Sequence, residues 1–105
     1  AHIDHIVGNL TLCNTYNIPL SAHEECTGFL THALVYAQTF GVTMEGVKEI
    51  DVFLSEEKPL TFGNTTLKIL ETPGHADGSI CIYSSENSYV VTGDVLFRES
   101  IGRTD

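Results

Sequence analysis

The hydrophobic pattern changes period part-way along the chain, and this change limits the available folds more than any other feature. In the first part, apolar side chains recur at helical spacing. Ile6, Val7, Leu10 and Cys13 predict a helix near residues 5–15. Leu30, Ala33, Leu34, Ala37 and Phe40 share one face of an amphipathic helix over residues 27–40, with Gly41 in the usual C-terminal capping place. Between them, Ile18-Pro19-Leu20-Ser21-Ala22 reads as a short strand, with Pro19 at its first residues or on an edge.

From Pro59 onward the spacing is that of strands. Pro59-Leu60-Thr61-Phe62 runs into the turn signal Gly63-Asn64. Thr65 to Glu71 alternates, with Thr65, Leu67 and Ile69 on one side. Ser79-Ile80-Cys81-Ile82-Tyr83-Ser84 is an apolar, β-branched run, and Ser85-Glu86-Asn87-Ser88 is a polar turn. Tyr89-Val90-Val91-Thr92 reads as another buried strand, halted by Gly93. Helices first and a meander of strands second predict an α/β layered domain with strands packed under helices. Tyr83, Tyr89, Phe62 and Phe97 are expected in the core or on a sheet face, and Ser55-Glu56-Glu57-Lys58 in a solvated loop.

A chain of 105 residues is long enough for one small domain whose core is marginal. Its 42% hydrophobic content argues against disorder. A net charge of −9, with only 5 Lys and Arg, argues against nucleic acid and anionic membrane as partners, since both select clustered positive charge. No stretch approaches the roughly 18 apolar residues of a membrane span. The cysteines Cys13, Cys26 and Cys81 are odd in number and widely spaced, unlike a disulfide framework or a Cys-rich zinc module. A cytoplasmic chain with buried or idle thiols is expected, with Cys81 packed in a core.

Three places combine metal-ligand residue types with the ends of predicted elements. In Ala1-His2-Ile3-Asp4-His5, two imidazoles and a carboxylate stand just before a helix, a set that suits zinc or iron. The alternative is that Asp4 is a helix N-cap and the histidines are surface residues. His75 follows the tight turn of Pro73-Gly74 at the end of the alternating strand, as either a site residue or an exposed loop histidine. Asp94 follows the run Tyr89–Thr92, where a carboxylate is either a turn former or a ligand.

Taken together, the three resemble a known set. His2-x-Asp4-His5 is similar to the second half of the metallo-β-lactamase superfamily signature His-x-His-x-Asp-His. Thr72-Pro73-Gly74-His75 followed by Gly78-Ser79 resembles that family's Thr-Pro-Gly-His…Gly-Ser motif. Gly93-Asp94-Val95-Leu96-Phe97, with Gly102-Arg103-Thr104-Asp105 after it, resembles the corresponding run of the glyoxalase II-like (hydroxyacylglutathione hydrolase-like) branch. The resemblance implies a partial αββα sandwich, with helices on a mixed sheet, and a two-metal site. His2 and His75 would bind the first metal, Asp4 and His5 the second, and Asp94 would bridge them. The implied cofactor is a pair of Zn2+ ions, with Fe or Mn as alternatives. The implied chemistry is attack of a metal-bridged hydroxide on the acyl carbon of a small-molecule thioester, with Asp4 orienting the water.

The resemblance also sets expectations for the rest of the chain. The signature's first His precedes Ala1, and the family's last ligand His follows the Gly-Arg-Thr-Asp run. Residues 1–105 are therefore expected to form a single incomplete domain of a protein about twice as long, able to self-associate or to associate with the remainder of that protein. Asp77 and Ser79 are candidate partners of His75. Arg103 could hold a substrate carboxylate, but internal pairing with Asp105 or Glu99 is favoured. His23 and His32 are expected to be surface residues. Two other functions compete with thioester hydrolysis. One is a persulfide dioxygenase-like oxidoreductase with a single iron held by His2, His75 and Asp94. The other is an inactive folded piece of such an enzyme.

Overall fold

The computed structural model describes residues 2–104, which form two compact units divided between Phe53 and Leu54. The first unit is helical, as its period predicts, but its helices are broken. The expected helix over 5–15 begins earlier and is interrupted: α1 spans Ile3–Ile6 and α2 spans Asn9–Tyr16. Gly8 stands at the interruption, where its poor helix propensity weakens continuity. Ile6 and Cys13 are buried as the spacing requires, whereas Val7 is exposed.

The expected helix over 27–40 is likewise divided into α3 (Thr27–Thr31) and α4 (Ala33–Thr39), preceded by a 3-10 turn at Glu24–Cys26. The break at His32 has a local cause. A continuous helix would direct the His32 amide to the Gly28 carbonyl. Here His32 Nδ1 takes that carbonyl at 2.9 Å, and the His32 amide donates instead to Phe29 O at 3.2 Å. His32 is thus exposed, as expected, but it also shapes its helix. His23 is half-buried, and its Nδ1 accepts from the Glu25 amide at 3.2 Å, capping the 3-10 turn.

Leu30, Ala33 and Ala37 are buried, but Leu34 and Phe40 are exposed, against the expected single face. The break narrows the apolar stripe, and Leu34 instead helps line a cavity of about 480 Å³ with Leu30, Val47, Ile50 and Phe53. Gly41 N–H donates to Gln38 O at 3.1 Å and Val42 N–H to Ala37 O at 2.8 Å, closing the end of α4 as the Gly at that place predicts. The core of this unit is Ile6, Leu30 and Ala33, with Ile3, Phe29, Val47 and Ile50 packed against them.

The expected strand at 18–22 is reduced to β1 (Ser21–Ala22), parallel to β2 (Val52–Phe53). Asp51 fixes this pairing. Its carboxylate accepts from the Leu20 amide at 2.7 Å and from Lys48 Nζ at 2.6 Å, while its own amide donates back to Leu20 O at 2.9 Å.

The second unit is an antiparallel meander in the order β3 (Leu60–Phe62), β4 (Thr65–Glu71), β5 (Ile80–Ser84), β6 (Tyr89–Val91). Alternation on β4 is as predicted: Leu67 and Ile69 are buried, and the residues between them face solvent. Leu54, Cys81, Ser84 and Gly102 are also buried in this unit. Ser84 Oγ accepts from the Asn87 amide and side chain, both at 3.2 Å, which ties down the polar turn of residues 85–88. A final hairpin pairs β7 (Leu96–Phe97) with β8 (Ser100–Ile101).

Two expectations for this unit are corrected. Tyr89, Val90 and Val91 are not buried, because β6 is the edge of the described sheet and pairs with β5 alone. Phe62 and Phe97 are also exposed, and only Tyr83 of the four aromatics is half-buried. The acidic stretch at 55–58 is an exposed turn, but Glu56 is fastened within it. Glu71 N–H donates to Glu56 Oε1 at 2.7 Å, and Glu56 N–H to Glu71 Oε1 at 3.4 Å. All three cysteines are buried, Cys81 in the sheet core as expected. No helix among the described residues is long and apolar enough to cross a membrane.

Candidate metal centre

In the second unit, two loops at strand ends carry the predicted ligands. Residues 73–78 join β4 to β5. This loop is closed at its base by Thr72 N–H donating to Ser79 O at 2.9 Å and by Ser79 N–H donating to Ala76 O at 3.2 Å. Gly74 has φ +153, a backbone conformation open to glycine, and it turns the chain so that His75 leaves the strand end. Residues 92–95 follow β6 in a turn closed by Val95 N–H to Thr92 O at 3.1 Å and Thr92 Oγ1 to Leu96 O at 3.0 Å. Asp94 projects from this turn. Beneath both loops lies the buried Cys81, its Sγ 3.5 Å from Thr72 Oγ1 and 4.0 Å from Thr92 O.

His75 Nε2 faces Asp94 Oδ2 at 3.7 Å. That is too long for a hydrogen bond. It is close to the separation of about 3.4 Å between two ligand atoms on one tetrahedral zinc. The side chains are 18% and 34% exposed, so an ion can reach them without leaving both in bulk water. The other ring nitrogen is committed: His75 Nδ1 lies 3.0 Å from the main-chain carbonyl of Arg103. A carbonyl only accepts, so Nδ1 carries the proton, and Nε2 is the ring nitrogen left on the side of Asp94 to serve as a ligand.

The first unit holds the other predicted ligands. His2 is the extended residue before α1. Asp4 and His5 lie in the helix, with Asp4 Oδ2 and His5 Nε2 3.8 Å apart and both side chains exposed. Asp4 is not the N-cap, and no side chain caps this helix. The pairs the structure brings together within a unit are therefore Asp4 with His5, and His75 with Asp94.

Asp77 is exposed, and Ser79 serves through its main chain at the loop base. Arg103 is exposed, and it is its main-chain carbonyl that meets His75. Asp105, the suggested partner of Arg103, lies outside the described residues. The Arg103 carbonyl had no residue-type signature, and only its place beside Gly102 could have indicated it.

The chain belongs to the metallo-beta-lactamase superfamily, whose family model matches residues 1–105. It is 33% identical to the hydroxyacylglutathione hydrolase GloC of Haemophilus influenzae, over 99% of this chain and 50% of that protein. Among solved structures it resembles BLEG-1 B3 metallo-beta-lactamase, with TM-score 0.83 and 34% identity, covering 100% of this chain and 51% of that one. It also resembles TTHA1623 in a di-iron-bound form, with TM-score 0.82 and 29% identity, covering 98% of this chain and 50% of that one. The mixed α/β arrangement is thus that of the metallo-β-lactamase fold. The chain spans about half the length of these relatives.

Proposed function

We propose that this chain is one incomplete metallo-β-lactamase-like domain of a metal-dependent thioester hydrolase acting on substrates of the hydroxyacylglutathione type. The observation that carries the metal reading is the His75–Asp94 pair, held at 3.7 Å with His75 Nδ1 already engaged and Nε2 turned to the carboxylate. The thioester reading is supported by the likeness to GloC and by the Gly93–Phe97 and Gly102–Thr104 motifs.

By motif position, His2 and His75 would hold one ion, Asp4 and His5 would hold the other, and Asp94 would contribute to both. A carboxylate, negatively charged and with two oxygens, would offset part of the repulsion between two cations. Zinc is the proposed ion, and iron is the alternative because the similar TTHA1623 has a di-iron-bound form. When bound, such ions acidify water and polarise an acyl carbonyl. The Asp4 carboxylate is an exposed acceptor at the helix start, suited to orienting a water by accepting its hydrogen bond. The His75 ring holds one orientation because Nδ1 is tied to Arg103 O. The three buried thiols fit a reducing cytoplasm.

The test is hydrolysis of a hydroxyacylglutathione thioester before and after treatment with a chelator. Loss of turnover on chelation and recovery with zinc is expected. Turnover indifferent to chelation, or no thioester cleavage by a metal-loaded protein, contradicts the proposal.

A further inference from the structure

The geometry points to the main chain of Gly102–Arg103 as the element that positions both His75 and Asp94, with Gly102 as the residue that permits it. This rests on the reading of those two residues as metal ligands. Gly102 is buried, and its amide donates to Val95 O at 3.0 Å, one residue past Asp94. The hairpin of β7 and β8, in register Leu96↔Ile101, returns the chain to that place.

A Cβ at Gly102 would overlap the main-chain oxygen of Asp94 and stand 3.0 Å from His75 Cβ. Any side chain there must displace the backbone of one ligand or the side chain of the other. The next carbonyl, that of Arg103, then accepts from His75 Nδ1–H at 3.0 Å. One step further, Thr104 Cγ2 lies 3.8 Å from where a Cβ of Gly74 would be, so this segment runs along the His75 loop. Residues 102–104 therefore touch both loops: Gly102 fits by having no side chain, and Arg103 sets the tautomer through its carbonyl. The contact with His75 is made by the Arg103 main chain, and the residue is otherwise exposed. Gly102 and Arg103 are positioning residues, acting through His75 and Asp94.

The experiment uses the full chain, metal-free and 15N-labelled, at a pH well above the usual histidine value of about 6.5. Nitrogen–proton correlations of the His75 ring should show the Nδ1–H tautomer in the wild type. A dominant Nε2–H tautomer overturns the inference without any variant. Gly102→Ala should lower zinc affinity about 10- to 100-fold and shift the His75 tautomer, with the circular dichroism unchanged. An unchanged affinity and tautomer in that variant overturns it.

Should Gly102→Ala not fold, an ester in place of the Arg103–Thr104 amide, made by semisynthesis, weakens the same acceptor without adding bulk. It should move tautomer and affinity in the same direction, and no movement overturns the inference. A wild type that shows the Nδ1–H tautomer but binds no zinc overturns the metal reading and leaves the bracing of His75 standing.

Discussion

His75 donates from Nδ1 to the main-chain carbonyl of Arg103, 3.0 Å away and 28 residues later in the chain. The contact joins two loops that the sequence places far apart. It also decides which nitrogen of His75 faces Asp94. Removing the imidazole should therefore do more than remove one donor. His75→Ala is expected to lower metal affinity by more than the roughly 100-fold typical of losing a ligand's hydrogen-bond partner. Equilibrium titration with zinc against a competing chelator measures this.

Asp94→Asn keeps the shape of the side chain but removes its charge. A neutral amide cannot offset the repulsion of two cations, so the variant should hold fewer ions than the wild type while melting at a similar temperature without metal. Metal content after dialysis, together with a metal-free melt, checks both halves.

Asp51 gives the first unit an acid-sensitive joint. The Lys48 side-chain hydrogen bond and then the Leu20 amide hold its carboxyl below the usual value of 3.8. A depressed folded-state pKa contributes stability above the unfolded value and loses it as pH falls through the folded one. The wild type should thus be more stable than Asp51→Asn near neutral pH. That difference should shrink as pH drops below about 4. Parallel thermal melts across this range test it, and a difference that persists in acid contradicts it.

Much of the fold is legible in the sequence, because burial imposes a period on the residues it selects. Leu67 and Ile69 alternate on β4, and both are buried. The loop positions of His75 and Asp94 are legible too, through Pro73-Gly74 and Gly93. What escapes falls into two kinds. Some features come from side chains that compete with the backbone: His32 takes the Gly28 carbonyl and breaks a helix whose apolar spacing is unbroken, and Asp51 pairs β1 with β2 from outside either strand. Others come from the backbone itself. The Arg103 carbonyl is an acceptor that any residue supplies, so no residue type marks it. The exposure of Tyr89–Val91 escapes for a third reason: edge and central strands share the same β-branched composition.

Ile69 is 2% exposed at the centre of the second unit's sheet. Ile69→Ala should cost about 2–5 kcal/mol, through lost burial and the cavity left behind. Ser84→Ala, which removes the buried hydroxyl that accepts from the part-buried Asn87 amide, should cost about 0.5–1.5 kcal/mol. Chemical denaturation of each variant gives both numbers, and a loss under about 0.5 kcal/mol, the range of a neutral surface change, would contradict either assignment.

On the proposed function, the motif residues of this chain hold metal. Elemental analysis of protein purified without chelator tests it most directly. About two divalent ions per chain, zinc or iron, are expected, with fewer in the His75→Ala and Asp94→Asn variants. A chain that folds, with its His75 ring braced as described, yet holds no metal under saturating zinc would contradict it.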